Sequence, residues 1–354
     1  MTALAELLLR RIAATGPLTV AEYMAECLLH PEHGYYTTRD PFGAAGDFTT
    51  APEISQMFGE LLGLSLAQAW MDQGAPDPFV LAELGPGRGT LMADLLRATA
   101  RVPGFHDAAR VCLVEASPTL RRKQRETLAG HDVSWCDDVG ALPTGPLFLV
   151  ANEFLDALPI RQFLRDGIGW RERLVTVVDG ALAFGLGAVT PLGALADRLA
   201  DTVDGDLVET CAPAAAVAEA VAPRIAARGG AAIFVDYGDW RSKGDTLQAL
   251  RAHQPDNPLS HPGEADLTAH VDFEAFARGA QGAATSAMVA QGVFLERLGI
   301  TQRAQQLADG LTSAPLDALV AAHRRLTHPQ EMGSLFKVLA IHPEGTAPPP
   351  GLER

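Results

Sequence analysis

The sequence predicts a doubly wound α/β fold of the Rossmann type, built on a mostly parallel sheet. Short apolar runs typical of buried strands alternate with helical segments through residues 79–160. A glycine-rich turn follows the first run and leads directly into a helix, as at the ligand-binding turn of such folds. Two later apolar runs, at 231–236 and 336–341, extend the same sheet. The predicted core therefore comprises residues 79–160, 229–240 and 284–342.

Each element is predicted by its own local pattern. Apolar runs bounded by glycine or polar residues predict strands, and the segments between them predict helices. The first four strands are expected at 79–84, 110–115, 133–136 and 146–152, and the first helices at 90–101 and 118–129. Residues 161–186 alternate like antiparallel strands, with turn signals at Asp166-Gly167 and Asp179-Gly180. A helix at 213–228 and a long polar loop at 241–268 follow.

These elements divide the chain into four predicted regions. Residues 1–75 form a helical cap and lid, and residues 76–160 form the first part of the core. Residues 161–228 are an inserted antiparallel and helical region, and residues 229–354 complete the core with a loop and a helical insertion. Because open α/β sheets bind ligands at the carboxyl ends of their strands, the cap and the insertion are expected to overhang that edge.

Composition excludes several classes of protein. A formal charge of −15 disfavours non-specific binding of nucleic acid, which depends on Lys and Arg neutralising phosphates. The four cysteines are far apart and contain no C-x-x-C pair, so a cytoplasmic protein without disulfides or zinc is expected. The apolar stretches are too short to span a bilayer, and the N-terminal segment predicts a surface helix rather than a signal peptide. A homo-oligomer is compatible with these features.

The turn Glu83-Leu84-Gly85-Pro86-Gly87-Arg88-Gly89 is the strongest local signal. Its glycines allow a sharp reversal and close approach of a ligand, and the helix from Thr90 presents free N–H groups there. A dinucleotide site would have G-x-G-x-x-G, whereas here one residue separates the last two glycines and Glu83 precedes the first. A carboxylate repels a diphosphate but suits a zwitterion with an ammonium and a sulfonium. The turn therefore favours S-adenosylmethionine over NAD.

Acidic residues after the next two strands extend this predicted site. Glu115 ends the second strand, where a carboxylate can accept hydrogen bonds from both ribose hydroxyls; the alternative is a solvent-exposed charge. Asp137 and Asp138 follow the third strand and are candidates to bond the adenine amino group, with Trp135 or Cys136 on the ring. A charged turn explains the two aspartates nearly as well.

A polar segment from Asn152 to Pro159 follows the fourth strand, where groups face the reacting centre in a doubly wound fold. Glu153 and Asp156 are candidates to hold a guanidinium by bidentate hydrogen bonds and to help remove a proton from a nucleophilic nitrogen. The alternative for Asp156 is a cap on a helix that begins at Ala157.

Three loops carry further candidates. Residues 30–36 and 46–53 mix aromatic, glycine and acidic residues, so they predict either a lid over the cofactor or a capped loop with Pro52 in a helical first turn. The segment 261–273 is dense in histidine and carboxylates but has no i,i+4 histidine pair. A structural loop with a helix capped at Asp272 is expected there rather than a metal site, and His270 is a candidate to approach the acceptor.

Taken together, these motifs resemble those of the MidA-like methyltransferases of bacteria and mitochondria, over nearly the whole chain. The likeness rests on several motifs in the same order, including H-P-x-x-G-Y-Y, G-D-F-x-T-A-P-E-I-S, E-L-G-P-G-R-G-T-L and N-E-F-L-D-A-L-P. D-Y-G, D-L-T-A-H-V-D-F and M-G-x-L-F-K-V-L complete the set, at 236–238, 266–273 and 332–339.

The resemblance implies a class I methyltransferase fold with S-adenosylmethionine in the glycine turn. It implies pocket positions for Asn152, Glu153, Asp47, Phe48 and Glu53. Glu53, Tyr237 and His270 are the candidates to bind the acceptor. Mitochondrial members of the family are protein arginine methyltransferases that modify a subunit of respiratory complex I and assist its assembly. Protein arginine methylation is thus the leading hypothesis. Methylation of a small molecule or another side chain, and a cofactor-binding assembly factor with little catalysis, are the alternatives.

Overall fold

The computed structural model describes residues 1–38 and 49–353, which form two compact units. The first unit comprises residues 1–38, 156–214 and 239–275. The second unit comprises residues 49–155, 215–238 and 276–353 and contains the predicted glycine turn. None of the helices in these described ranges is both long enough and apolar enough to cross a membrane.

Up to residue 155 the described chain alternates helices with short strands. The elements are α1 (Ala3–Thr15), β1 (Leu18–Thr19), α2 (Val20–Leu29), α3 (Tyr35–Thr38), α4 (Ala51–Ile54), α5 (Gln56–Asp72), β2 (Phe79–Leu84), α6 (Thr90–Thr99), α7 (Phe105–Ala108), β3 (Ala109–Val114), α8 (Pro118–Thr127), β4 (Val133–Cys136) and β5 (Leu147–Asn152).

After residue 155 the chain adds antiparallel strands and a helical C-terminal region. The elements are β6 (Arg161–Asp166), β7 (Gly169–Val178), β8 (Ala181–Thr190), β9 (Leu207–Thr210), α9 (Ala212–Arg228), β10 (Gly230–Asp239), β11 (Gln248–Arg251), β12 (Gln254–Asp256), β13 (Asp266–Thr268), β14 (Val271–Asp272), α10 (Phe273–Gly279), β15 (Ala284–Thr285), β16 (Val289–Ala290), α11 (Gln291–Arg297), α12 (Ile300–Ala308), α13 (Ser313–Thr327), α14 (Met332–Leu335) and β17 (Phe336–His342).

The main sheet of the second unit has the order β15-β17-β10-β5-β2-β3-β4. Strands β10, β5, β2, β3 and β4 are parallel, and β17 runs antiparallel to β10. Every residue of β2 and β5 is buried, as expected for parallel strands covered on both faces. The predicted doubly wound, mostly parallel α/β fold is therefore confirmed.

The strand order reverses between β2 and β5. From β2 the chain proceeds through β3 to β4, whereas β5 and then β10 lie on the other side of β2. Such a reversal opens a crevice at the carboxyl ends of the strands, which is where ligands bind in this class of fold. The glycine turn after β2 and the segment after β5 both lie at this switch point.

Close packing of α5 on α6, the helix that follows the glycine turn, supports the turn. Helix α5 packs on α6, and a Cβ atom on Gly63 would lie 2.7 Å from the Leu95 side chain. Gly59 makes a similar approach to Asp94. The second unit's core continues from these helices to β2, β5, β10 and β17 through buried Leu, Phe and Val side chains. This core holds the start of α6, and thus the glycine turn, in place.

The first unit contains the predicted antiparallel strands. Its larger sheet has the order β1-β7-β6-β9, with β8 also paired to β7. Asp179 and Gly180 connect β7 to β8 with φ of 50° and 77°, the positive values that a two-residue hairpin turn requires. The predicted polar loop at 241–268 is wrong in part, because β11, β12 and β13 form a small antiparallel sheet there. These strands are short and rich in polar residues, so no apolar alternation indicated them.

Candidate active site

The glycine turn has the sharp, left-handed backbone that its sequence predicts. Gly85, Gly87 and Gly89 have φ of 60°, 52° and 83°, and α6 begins immediately afterwards at Thr90. A Cβ atom on Gly85 would lie 2.8 Å from the ring of Phe154, so a side chain at this position would displace that ring. Both the conformation and the close approach therefore require glycine at residue 85.

Glu83 is buried directly before the turn. It is 3% exposed, and its Oε2 atom has no hydrogen-bond partner among the residues that the structure describes. Burial raises the pKa of Glu83 to about 8, with the nearby Glu115 carboxylate adding to the rise, although a backbone hydrogen bond from Met92 opposes it. A buried acceptor without a partner is uncommon in proteins and is typical of a ligand site.

Glu115, after β3, is tied to the turn through Gln124. The Glu115 carboxylate accepts hydrogen bonds from the Ser117 N–H at 2.7 Å and from Gln124 Nε2 at 3.1 Å. Gln124 Nε2 also donates to the carbonyl of Gly87 at 2.8 Å, and Gln124 Oε1 accepts from the Trp135 indole at 2.8 Å. Burial raises the pKa of Glu115. Glu115 is thus a buried part of one network with the turn, and the alternative of a solvent-exposed charge is wrong.

Asp137 and Asp138 lie after β4 and make different contacts. Asp137 is largely exposed and forms an ion pair of 2.6 Å with Arg121. Asp138 precedes a short 3-10 helix, Val139–Ala141, and its side chain accepts the N–H of Ala141 at 3.0 Å. The structure therefore gives each aspartate a local partner, at the strand end where the adenine contact was predicted.

Asn152 and Glu153 follow β5, at the other side of the switch point. The Glu153 carboxylate accepts hydrogen bonds from the Ala51 N–H at 3.0 Å and from Asn152 Nδ2 at 2.9 Å. Glu153 has φ of +50°, a left-handed conformation that is strained for any residue other than glycine. Asn152 is 9% exposed, and its Oδ1 atom is buried without a partner within 1–38 and 49–353. We call residues 153–155 the acceptor loop.

Glu53 contacts the glycine turn rather than standing apart from it. The Thr90 hydroxyl donates to Glu53 Oε1 at 2.6 Å, and Arg88 Nη1 lies 4.0 Å from Glu53 Oε2. Glu53 belongs to the short helix α4, which has Pro52 in its first turn as the capped-loop interpretation expects. The Thr50 hydroxyl, however, makes no capping hydrogen bond to α4.

Asp236, at the end of β10, was missed by the sequence interpretation. Its carboxylate is 1% exposed and accepts the backbone N–H groups of Phe154 and Leu155 at 3.1 and 2.8 Å. The neighbouring Tyr237, which was predicted to bind the acceptor, packs edge-on against the ring of Phe336. In the sequence, Asp236 was indicated only as part of the motif D-Y-G. Its hydrogen bonds go to residues 154 and 155, which are distant in sequence, so no local pattern could predict them.

The remaining candidates belong to the first unit or fall outside the described residues. Asp156 belongs to the first unit and sits in a turn, so the alternative that it caps a helix from Ala157 is wrong. In the same unit the N–H of His270 donates to Thr246 Oγ1 at 2.8 Å, and Asp272 caps α10 by accepting the Ala275 N–H. Asp47 and Phe48 lie outside the described residues. Across those described, His, Cys, Asp and Glu side chains form no group that could hold a metal ion.

The second unit therefore brings together groups that fit S-adenosylmethionine. The left-handed glycine turn leads into the start of α6 at the switch point, and the buried oxygens Glu83 Oε2 and Asn152 Oδ1 can accept hydrogen bonds from an ammonium group. The Glu115 carboxylate lies on the adjoining strand end, where it can accept from hydroxyl groups. A crevice with these acceptors at a switch point is the arrangement of a class I methyltransferase.

Comparison with known proteins agrees with this assignment. A family model described as an S-adenosyl-L-methionine-dependent methyltransferase matches residues 61–291. The protein arginine methyltransferases NDUFAF7, mitochondrial, of Xenopus laevis, Mus musculus and Homo sapiens are 38%, 40% and 38% identical to the chain. Each match covers 95% of the chain and 82–83% of the relative.

Two crystal structures of a protein from Burkholderia thailandensis are similar over 99% of the chain at 33% identity. One was solved bound to S-adenosyl-homocysteine, with a TM-score of 0.84 and 93% of that chain covered; the other is a native structure, with a TM-score of 0.82 and 94% covered. The chain is an S-adenosylmethionine-dependent methyltransferase of the class I fold. It belongs to the MidA-like family, as its sequence motifs predict.

Proposed function

We propose that this methyltransferase transfers the methyl group to an arginine side chain of a protein. The observation that carries the proposal is Glu153, a carboxylate held in a strained left-handed conformation at the carboxyl end of β5. Strain of this kind persists only where the surrounding structure imposes it, and it is concentrated at functional sites. The identity of about 38% to relatives named protein arginine methyltransferases supports the same substrate class.

The cofactor side of the proposal assigns the residues around the glycine turn. Gly85, Gly87 and Gly89 provide the open backbone, Glu83 and Asn152 face the amino group, and Glu115 receives the ribose hydroxyls. Asp137 and Asp138 are assigned to the adenine edge, and Asp47 and Phe48 to the lid. When bound, S-adenosylmethionine supplies a methyl group activated by its positively charged sulfur.

The acceptor side rests on Glu153, with Asn152 and Asp156 as further candidates. An arginine guanidinium is planar and carries five N–H donors that match a carboxylate in a bidentate pair. It is also protonated throughout the physiological range, so its nitrogen is a poor nucleophile until a proton leaves. Glu153 would orient the guanidinium and accept that proton as the new N–C bond forms. The S–C bond to the transferred methyl group would break in the same step, and S-adenosyl-homocysteine would leave. The contacts from Ala51 and Asn152 would hold the carboxylate in place.

We assign Glu53, Tyr237 and His270 to contacts with the acceptor. The bond from Thr90 to Glu53 Oε1 supports the assignment of Glu53, because it brings this carboxylate to the start of α6, beside the glycine turn. A protein partner follows from the arginine substrate, and the resemblance to the mitochondrial family members points to a subunit of respiratory complex I. A bacterial cytoplasmic location stays a prediction.

A methyl-transfer assay tests the arginine assignment. The protein is incubated with isotope-labelled S-adenosylmethionine and complex I subunits. Parallel reactions contain a peptide with one arginine, or the same peptide with lysine in place of that arginine. Mass spectrometry then locates the label. The proposal predicts label on arginine and no label on the lysine peptide. Label on lysine, on a carboxylate or on a small metabolite would overturn the arginine assignment, and the methyltransferase class would stand.

A further inference from the structure

We infer that Asp236 is a positioning residue for methyl transfer: its carboxylate holds the acceptor loop so that Glu153 is presented to the acceptor. This inference rests on the proposed function, because it matters for catalysis only if Glu153 acts on the acceptor. Asp236 itself is not assigned a contact with either substrate. Its effect is transmitted through the backbone of residues 153–155.

The three backbone N–H groups of the acceptor loop all bond to Val235 and Asp236 of β10. The N–H of Glu153 donates to the carbonyl of Val235 at 2.9 Å, and the next two N–H groups, of Phe154 and Leu155, donate to Asp236 Oδ2. Asp236 Oδ1 accepts the N–H of Tyr237 at 2.9 Å. Three successive amides of the loop are therefore fixed by two neighbouring residues of one strand.

These three hydrogen bonds explain how Glu153 can occupy a left-handed conformation. Glu153 has φ of +50°, which disfavours any residue with a Cβ atom, so other interactions must compensate. Its own N–H is bonded to β10, and the two that follow are bonded to the buried Asp236 carboxylate. Without the carboxylate, the backbone after Glu153 would lose its anchors and relax toward an unstrained conformation.

The chemistry of the site requires an acid at residue 236. An ionised carboxylate has acceptor positions only, so it can receive all three N–H groups at once. An asparagine has nearly the same shape but replaces one oxygen with an NH₂ group, which must then face an N–H donor. Asp236→Asn therefore removes an acceptor either from the two loop N–H groups or from Tyr237, and it removes the charge that strengthens all three bonds, with little change in packing volume.

The contacts of the Glu153 side chain do not depend on Asp236. The Ala51 N–H and the Asn152 amide still reach the Glu153 carboxylate, and the turn at Gly85 keeps its own backbone conformation. The substitution should thus affect turnover of the acceptor more than affinity for the cofactor. A role in general stability alone would lower both together.

The test compares Asp236→Asn with Asp239→Asn, a matched change on the same strand. Asp239 is exposed, and its carboxylate accepts the N–H of Trp240 at 2.7 Å. For each variant we would measure kcat and KM for the arginine peptide, Kd for S-adenosyl-homocysteine, and amide hydrogen exchange at Phe154 and Leu155. Displacement of a catalytic group by about 1 Å can cost roughly a hundredfold in rate. We expect kcat to fall by about that factor in Asp236→Asn, with Kd within about threefold of wild type.

Faster exchange at Phe154 and Leu155 should accompany the loss of turnover in Asp236→Asn, and Asp239→Asn should match wild type in every measurement. An unchanged kcat, unchanged exchange, or a parallel loss of kcat and cofactor affinity would each overturn the inference. Asp236→Glu keeps a carboxylate, so it should recover part of the rate; it replaces the asparagine variant if that protein fails to fold. If wild type methylates no arginine, the proposed function fails, and the exchange measurement still decides whether Asp236 holds the loop.

Discussion

The glycine turn and the acceptor loop lie at the same switch point but are held in different ways. The turn has a left-handed backbone at three glycines. It is held by the hydrogen bond from Gln124 to the carbonyl of Gly87 and by the bond from Thr90, at the start of α6, to Glu53. The acceptor loop places a glutamate in a left-handed conformation and is held by Ala51, Val235 and Asp236, which are distant in sequence.

The difference separates two requirements of methyl transfer. Glycine adopts positive φ without steric strain, so a turn made of glycines can hold its ligand-binding conformation without backbone strain. A carboxylate fixed in a strained conformation by remote contacts is preorganised for one acceptor geometry. We therefore expect changes in the turn to act on cofactor affinity, and changes in the loop to act on turnover.

The largest expected effect comes from a side chain in the turn. Gly85→Ala adds a Cβ atom at φ of 60°, 2.8 Å from the Phe154 ring. If the turn leaves its ligand-binding conformation to relieve backbone strain of about 2–3 kcal/mol, cofactor affinity falls by roughly 30- to 150-fold. Calorimetry with S-adenosyl-homocysteine measures it. Gly130→Ala is the matched control, because Gly130 has φ of 98° with open space around it. Equal affinities for the two variants would contradict the role of the turn.

The next effect is expected from the charge of the acceptor loop. Glu153→Gln keeps an oxygen that can accept from Ala51 and Asn152 but removes the negative charge that would hold a guanidinium. We expect kcat to fall by about 100-fold, the lower end of the range typical of general acid–base catalysis. Steady-state kinetics with the arginine peptide measures this change. Glu126→Gln, an exposed glutamate paired with Lys123, should keep wild-type activity.

A smaller and pH-dependent effect follows from Glu83. Its pKa of about 8 in the ligand-free protein lies above the ordinary value of 4.5, so the carboxyl is protonated at neutral pH. Its contribution to folding stability is fully present below pH 4.5 and is lost as the pH rises through about 8. If the cofactor ammonium binds the ionised form, affinity should rise between pH 6 and about 8, with release of a proton.

Calorimetry in buffers of different ionisation enthalpy measures that proton release. The affinity change should be at most about tenfold for each pH unit, and Glu83→Gln should abolish the dependence. A Glu83→Gln variant with the same pH profile as wild type would assign the titration to another group.

The smallest effect is expected where the turn meets α4. Thr90→Val removes the hydroxyl that donates to Glu53 and leaves the shape of the side chain nearly unchanged. Loss of one such hydrogen bond should lower the free energy of unfolding by about 1 kcal/mol. Thermal unfolding measures it, with Thr127→Val on the exposed end of α8 as the control. A stability equal to wild type would show that the Thr90–Glu53 bond is not important for the turn.

The sequence predicted the turn side of this comparison better than the loop side. Apolar strands, glycines and the acidic residues Glu83 and Glu115 are local patterns, so the parallel core and the cofactor class followed from them. The residues that hold the loop are brought together only by folding: Ala51, Val235 and Asp236 come from separate elements. The alternative of a helix capped by Asp156 was wrong for a related reason, since a polar residue before an apolar pair is equally typical of a turn.

Cofactor affinity, measured side by side in Gly85→Ala and Glu153→Gln, tests most directly whether the two regions have separate roles. We predict that S-adenosyl-homocysteine binds Glu153→Gln with a Kd within about threefold of wild type, whereas Gly85→Ala binds at least about tenfold more weakly. A comparable loss of affinity in both variants would contradict the account, because the acceptor loop would then be part of the cofactor site.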